Sequence, residues 1–130
     1  MLDYVAALEE LRGLVSRKTG IIVMVGELPA GGGVSLVSAG GQVKYDLAGN
    51  ARADMQIAVA GKSKIQSQAL SLLDEALSAM RRAQLEGYGW QLHGVTPGGA
   101  PAFNGPNAAG YYVYVAMCKA RVTFWAKEAQ

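Results

Sequence analysis

The chain has 130 residues, of which 51% are hydrophobic and 17% are charged. This length predicts a single domain over residues 1–130, and the apolar content excludes a disordered chain, which needs low hydrophobicity and high net charge. Twelve basic and ten acidic residues give a net charge of +2, which excludes a strongly basic protein. A single cysteine excludes a disulfide framework and a Cys-rich zinc module, and a single histidine leaves little scope for histidine-based chemistry.

The first predicted element is a helix over residues 4–18. Four apolar residues recur there at helical spacing: Tyr4, Leu8, Leu11 and Val15. Asp3 is placed to cap the start of this helix, and Gly20 is placed to end it. The pattern therefore predicts a helix with one buried face.

Residues 21–60 are predicted to form a four-stranded antiparallel meander. The predicted strands are β-branched or alternate in polarity: 21–25, 34–38, 43–47 and 55–59. The segment Gly31-Gly32-Gly33 predicts a mobile loop between the first two strands. Consecutive glycines in Ala39-Gly40-Gly41-Gln42 predict a hairpin turn, and Ala48-Gly49-Asn50 predicts another turn.

The strongest pattern is that of a second helix. The segment Ser63-Lys64-Ile65-Gln66 fits a capping box at its start. Its apolar residues form one continuous stripe: Ile65, Ala69, Leu72, Leu73, Ala76, Leu77 and Met80. With Gly87 as its stop, the helix would have about 22 residues and a length of roughly 33 Å, enough to lie across a sheet.

The last third of the chain predicts a short strand over residues 90–95, a long Pro/Gly-rich loop over 96–110 and a final strand over 111–124. Because the final strand is apolar on both faces, we expect it to be central or to be covered on both faces. The predicted fold class is α+β: an antiparallel (mixed) sheet of about five to six strands, with a long helix packed on one face and an N-terminal helix. The predicted order is α-β-β-β-β-α-β-β.

One segment resembles a phosphate-binding loop. Gly61-Lys62-Ser63 follows a predicted strand and opens a predicted helix. Such a loop also needs a glycine five residues before the Gly-Lys pair, and that position holds Gln56. We therefore interpret the segment as a helix start and expect no binding of nucleotides.

The other chemically interesting residues lack partners at the required spacing. Gly87-Tyr88-Gly89 is interpreted as a helix stop, and His93 has no acid or nucleophile in a recognisable motif. Cys118 lies in an apolar run, which predicts a buried thiol. Three carboxylates lie on different segments: Glu27, Asp46 and Asp54. The sequence thus predicts no catalytic residue, no metal site and no cofactor.

Charge and hydropathy also bear on whether the chain binds nucleic acids or associates with membranes. Basic residues are spread along the chain, many of them near predicted helix ends, whereas phosphate binding needs them on one face. We therefore do not predict direct recognition of a nucleic acid. The longest apolar runs, 21–25 and 111–118, are far shorter than the ~20 residues of a spanning helix, so no membrane association and no export are expected.

Residues 44–85 resemble the tail terminator and minor capsid proteins of long-tailed phages and prophages. The resemblance lies in a Lys-Tyr-x-x-x-Gly turn from Lys44 to Gly49, the strand over 54–59 and a Gln-bearing helix. The helix residues concerned are Gln66, Gln68, Ala69 and Leu73. The order of elements, the length and the near-neutral charge are also similar, whereas the segment 96–107 has no counterpart.

This resemblance implies a ring, usually a hexamer, that caps the completed tail tube and joins it to the head. It implies partners in the tail-tube protein and a head-connector protein, a place in the virion after assembly in the host cytoplasm, and DNA that passes through the bore without being read. No residue would be catalytic. The expected partner contacts lie in two loops: Gly31, Gly32, Gly33, Pro97, Gly98, Gly99, Pro101, Asn104 and Pro106.

Two alternatives remain open from the sequence. One is a small-molecule enzyme or binding domain with its pocket between helix and sheet. The other is a generic interaction module, such as a component of a related secretion tube.

Overall fold

The structure is a computed structural model that describes residues 3–81, 83–106 and 109–126. These residues form two helices and seven strands, in this chain order: α1 Tyr4–Thr19, β1 Val23–Val25, β2 Gly33–Tyr45, β3 Ala51–Ser63, α2 Gln66–Met80, β4 Leu85–Gly87, β5 Trp90–Pro97, β6 Ala102–Pro106 and β7 Tyr112–Phe124.

The strands form one mixed sheet with the spatial order β1-β2-β3-β7-β5-β4, and β6 pairs with β7 as well. Only the β1–β2 pair is parallel among these described strands. Strands β3 and β7 are central and pair over 13 residues, from Ala51 opposite Phe124 to Ser63 opposite Tyr112. Helices α1 and α2 contact each other and pack on one face of the sheet. The predicted fold class and the central position of the last strand are confirmed.

Helix α1 forms as its sequence predicts. The Asp3 carboxylate accepts a hydrogen bond from the Ala6 N–H at 3.0 Å. At the other end, Gly20 adopts a left-handed φ of 72° and its N–H donates to the Ser16 carbonyl. The apolar side of the helix is buried in the core through Ala7, Leu8, Leu11 and Val15. Local capping and one apolar stripe are therefore sufficient to define this element.

The predicted antiparallel meander is wrong in two respects. Strand β1 is parallel to β2, and the two strands predicted over 34–38 and 43–47 are a single strand. Gly40 and Gly41 form a bulge in that strand instead of a hairpin, with φ values of 96° and 137°. A Cβ at Gly41 would overlap the backbone carbonyl of Asp54, so this close pairing requires glycine. The turn predicted at Gly49 is confirmed by the antiparallel pairing of β2 with β3.

The predicted capping box at the start of α2 is also wrong. Gly61, Lys62 and Ser63 belong to β3, and the helix begins at Gln66. The Ser63 hydroxyl accepts from the Ile65 N–H at 3.2 Å, while the Gln66 amide donates to the Tyr114 hydroxyl at 3.0 Å. Pairing with β7 continues to Ser63 and holds this segment in the sheet. Long-range strand pairing thus overrides the local helix-start signal.

Helix α2 is shorter than predicted. It has 15 residues, hence a length of about 22 Å, and ends at Met80. Gly87 is not a helix stop: it ends β4 and pairs with Trp90 across a turn. A Cβ at Gly87 would overlap the Trp90 indole, which is buried at the edge of the core. Glycine at position 87 therefore leaves room for the buried Trp90 ring in this hairpin.

The loop predicted over 96–110 is partly a strand. Strand β5 continues to Pro97, and Ala102–Pro106 pairs with the first part of β7 as β6. Both strands run along the same edge of β7, one after the other. Proline is compatible with such an outer strand because its missing N–H is not needed by a further neighbour.

Candidate assembly surfaces

The glycine-rich loop predicted as a partner contact is held by Lys62. The Lys62 ammonium, whose side chain is buried, donates to the carbonyls of Pro29 and Ala30 at 3.0 and 3.4 Å. Gly31 is exposed, Gly32 is half-buried and Gly33 is buried at the start of β2. A Cβ at Gly33 would lie 2.5 Å from the Ile22 carbonyl oxygen. Only the tip of this loop faces outward, and its role as a contact stays a prediction.

The other predicted contacts lie along the opposite edge of the sheet. Pro97 pairs with Cys118, and the Gly98 N–H donates to the Met117 carbonyl at 2.8 Å. Gly99 and Pro101 border a cavity of about 170 Å³ beside α2. Asn104 and Pro106 lie on exposed β6. The structure thus places these six residues along one edge, and their role as contacts likewise remains a prediction.

The two predicted loops lie at the same end of the sheet. Gly33 pairs with Lys62, Lys62 pairs with Val113, and Pro106 pairs with the neighbouring Tyr112. Three strand spacings, or roughly 14 Å, therefore separate the glycine-rich loop from the end of β6. The pairing brings together two segments that are more than 70 positions apart in the sequence.

A feature that sequence reasoning missed is the outer half of β2, residues 37–45. Strand β1 pairs only with Val34, Ser35 and Leu36, so within the described chain no strand pairs with the other side of residues 37–45. Val43 and Tyr45 are 40% and 67% exposed, and Leu47 in the following turn is fully exposed. The sequence analysis predicted a hairpin here, in which residues 34–38 and 43–47 would have paired with each other. That prediction gave no indication of an open edge.

An apolar groove lies between the outer half of β2 and the start of α1. Its volume is about 220 Å³, and its lining includes Tyr4, Val43 and Met55. The Tyr4 ring packs edge-on against Phe124, with centroids 4.9 Å apart. Burial, and secondarily the nearby Tyr45 phenol, raises the pKa of Tyr4. The groove therefore continues the exposed apolar surface of β2 toward the helix layer.

A second open edge lies on the other side of the sheet. Strand β4 covers β5 only as far as Leu92, so residues 94–106 have no outer neighbour among the strands described here. On this edge, Phe103 is 48% exposed and packs against Tyr114 and Tyr112, with centroids 5.2 and 6.2 Å apart. The sheet thus has an open edge with exposed apolar residues on each side.

The helix-free face of the sheet is polar near the turn between β2 and β3. A shallow depression of about 460 Å³ is lined there by charged residues that include Lys44, Arg52, Asp54 and Arg121. The Arg121 Nε lies 3.6 Å from the Asp54 carboxylate, and their side chains are 73% and 43% exposed. These residues come from three strands, of which β7 is distant from the other two in the sequence, so no local motif could have revealed the whole set.

Two hydrogen-bonded groups border this depression. The His93 Nε2 and the Thr123 hydroxyl lie 2.7 Å apart, where β5 is irregular opposite β7. Asp46 accepts hydrogen bonds from the turn that it opens, and Asn50 provides two of them. The Asn50 side-chain hydrogen bond is the main cause of a lowered pKa at Asp46, to which the charge of Arg52 adds a smaller contribution.

Groups suited to catalysis or metal binding are dispersed in the part of the chain that the structure describes. No three His, Cys, Asp or Glu side chains lie close enough to hold a metal ion among residues 3–81, 83–106 and 109–126. Cys118 is buried as predicted, and burial raises the pKa of its thiol to about 11. Neither described helix is long and apolar enough to cross a membrane.

Comparisons with known proteins find a similarity of structure. No family model matches the sequence, and no curated protein matches it. A chain of a solved structure titled "Virion of native gene transfer agent (GTA) particle" shares the fold with a TM-score of 0.57 and 20% sequence identity. The match covers 92% of this chain and 91% of that chain. At this identity the comparison establishes a common fold over almost the whole length of both chains.

Proposed function

We propose that this chain is a structural subunit of a phage-like particle, and that it acts as a tail terminator that caps the tail tube and joins it to the head. The observation that carries the proposal is the fold shared, over nearly its full length, with a chain of a gene transfer agent virion. The resemblance of residues 44–85 to tail terminators supports the same class from the sequence.

The outer half of β2 supports self-association. Nine residues of extended chain offer an open edge about 30 Å long, to which a strand of a second copy can add through main-chain hydrogen bonds. Contact there would also cover the exposed side chains of Val43, Tyr45 and Leu47. Exposed apolar patches of this kind are typical of interaction sites.

The position of the two open edges supports a ring. Residues 37–45 lie on one side of the sheet and residues 94–106 on the other. A contact that joins different surfaces of successive copies is heterologous, and such contacts close into rings when the rotation allows it. The expected contacts from Pro97 to Pro106 lie on the second edge. The resemblance to tail terminators favours six copies in this ring.

The size of the cavity beside α2 disfavours the alternative of a small-molecule pocket between helix and sheet. The cavity beside α2, where a pocket between helix and sheet would lie, has a volume of about 170 Å³. Sites for small molecules usually measure at least ~300 Å³. We accordingly propose a subunit that resides in the virion after assembly in the host cytoplasm, with the tail-tube protein and a head-connector protein as partners.

The proposal is tested by blocking the β2 edge. Val43→Lys combined with Tyr45→Lys places two charges on exposed positions, so folding should be unchanged while edge pairing is lost. Light scattering after gel filtration and negative-stain imaging should show closed rings for the unmodified chain and monomers for this variant. Added to polymerising tail-tube protein, the unmodified chain should also limit tube length.

A matched control places the same charges on the helix layer. Ile65→Lys combined with Leu70→Lys changes two residues that are 53% and 40% exposed, and rings should persist. The proposal is wrong if the unmodified chain remains monomeric at high concentration and leaves tube growth unaffected. Self-association through the β2 edge is contradicted if the Val43/Tyr45 variant assembles as well as the control variant.

A further inference from the structure

The two faces of the sheet differ in charge. The helix-covered face is apolar, whereas the helix-free face carries the buried Lys62 and, in the part of the chain described here, four exposed strand cations: Lys44, Arg52, Lys119 and Arg121. We call these four residues the cationic strip. They come from β2, β3 and β7, and all four are exposed. Their alternation with buried Ala51, Ala53, Cys118 and Ala120 fixes the side of the sheet on which they lie.

The pairing of the strands sets the spacing within the cationic strip. Lys44 lies directly opposite Arg52, which places their Cβ atoms about 5 Å apart. Lys119 and Arg121 are two positions apart on one strand, a separation of about 7 Å. Arg121 pairs with Asp54, and Lys119 pairs with Gln56. The strip thus runs diagonally over three neighbouring strands.

The carboxylates of this face neutralise the strip only in part. Lys44 and Arg52 are like charges in direct opposition, an arrangement that by itself destabilises a sheet. Among the described residues, Asp54 forms an ion pair with Arg121, at the long distance of 3.6 Å. Asp46 already accepts hydrogen bonds from Ala48 and Asn50. An anion from outside the chain would relieve the remaining repulsion.

The cationic strip also accounts for the net charge of the chain. The sequence has twelve Lys and Arg and ten Asp and Glu. With Lys62 and Glu86, which the strand register places on the same face, five of those cations and three of those carboxylates lie on this side of the described sheet, which leaves seven of each for the rest of the sequence. The excess of +2 is therefore concentrated on one surface instead of being spread over the molecule.

We propose that the cationic strip binds the phosphate backbone of duplex DNA without reading its sequence. Gln42 and Gln56 lie beside the cations on the same face, and Lys, Arg and Gln side chains are common donors to DNA phosphates. An acidic protein is the less suitable partner, because the centres of protein interfaces are depleted in charged residues. The inference rests on the proposed function, since DNA would pass through a ring on a tail tube, and it assigns the helix-free face to the bore of that ring.

The test is the salt dependence of DNA binding, measured by fluorescence anisotropy with two duplexes of unrelated sequence between 50 and 200 mM salt. The unmodified chain should bind both duplexes equally, with affinity that falls steeply as salt rises. Arg52→Gln combined with Lys119→Gln removes half of the strip, so the salt slope should fall by about half and affinity at 50 mM salt by about tenfold.

The matched control is Arg17→Gln combined with Lys18→Gln, which removes two exposed cations from the end of α1 in the helix layer. Its salt slope should remain that of the unmodified chain. The inference is overturned if strip and control variants lose affinity equally, if neither loses any, or if poly-glutamate binds the strip while duplex DNA does not.

Imaging of the same variants separates this inference from the proposed function. If the strip variant forms rings and still binds DNA normally, the strip inference fails and the proposed function stands. If the unmodified chain forms no rings, and the strip variant loses DNA binding while the control variant keeps it, the strip inference is correct and the proposed function is wrong.

Discussion

The two halves of β2 belong to one strand but differ in what surrounds them. Residues 33–36 are all buried, with β1 on one side and β3 on the other. Residues 37–45 pair with β3 as well, yet all nine are exposed. The difference arises because β1 is only three residues long and ends opposite Leu36. The first half therefore stabilises the subunit, while the second half is available to stabilise an assembly.

The largest expected difference between the halves is in stability. Leu36→Ala removes a fully buried side chain and should lower the free energy of unfolding by about 2–5 kcal/mol. Val43→Ala changes an exposed residue of the same strand and should cost at most about 0.5 kcal/mol. Denaturant unfolding of monomeric protein measures both. Equal costs at the two positions would contradict the division of β2 into a core half and a surface half.

The bulge within the outer half of β2 should show a smaller effect. Gly41→Ala forces a Cβ against the Asp54 backbone and should cost at least about 1–3 kcal/mol, because neither strand can move without breaking the pairing. Gly40→Ala meets open space and retains only the strain of its positive φ, about 1 kcal/mol. Thermal unfolding of the two variants compares them. A lower cost at Gly41 than at Gly40 would show that the bulge is not fixed as described.

The smallest effect concerns the core beside the boundary between the halves. Cys118 pairs with Ile57, which pairs with Ser38 of β2. Because burial raises the pKa of its thiol from 9.0 to about 11, the folded state holds this proton more tightly than the unfolded state. The resulting stability is present below pH 9 and is lost as the pH rises toward 11. At pH 10 the loss should be about 1 kcal/mol.

Unfolding of the unmodified chain and of Cys118→Ala between pH 8 and pH 11 isolates this contribution. All other ionisable groups are the same in both proteins, so only the difference between the two curves reports the thiol. A difference that does not change with pH would mean that Cys118 is not enclosed by the core.

Two glycine-containing segments show what local sequence can and cannot predict. Gly49 follows Asp46, whose carboxylate bonds to the next backbone N–H groups, and the predicted turn is found. Gly40-Gly41 carries the same hairpin signal but forms a bulge, because residues 43–45 continue along β3 instead of folding back. A glycine pair permits positive φ in either arrangement, and only the partner strand decides between them.

Of the candidate surfaces, too, one could be predicted from local sequence, whereas the others depend on strand pairing. The residues of the edge from Pro97 to Pro106 could be singled out in the sequence because proline and glycine disfavour a central strand. The open edge of β2 and the cationic strip could not be found this way. Both depend on which strands are neighbours, and the cations in question are separated by up to 77 positions in the sequence.

The sequence by itself determined α1, the α+β class and the central position of the last strand, because capping, helical spacing and a continuous apolar run act within a few neighbouring residues. Only the tertiary structure decided where β3 ended and α2 began, whether glycines made a turn or a bulge, and which charges shared a face. Those features depend on pairing and packing between distant segments, whose stabilising contacts exceed the small free-energy differences that local propensities express.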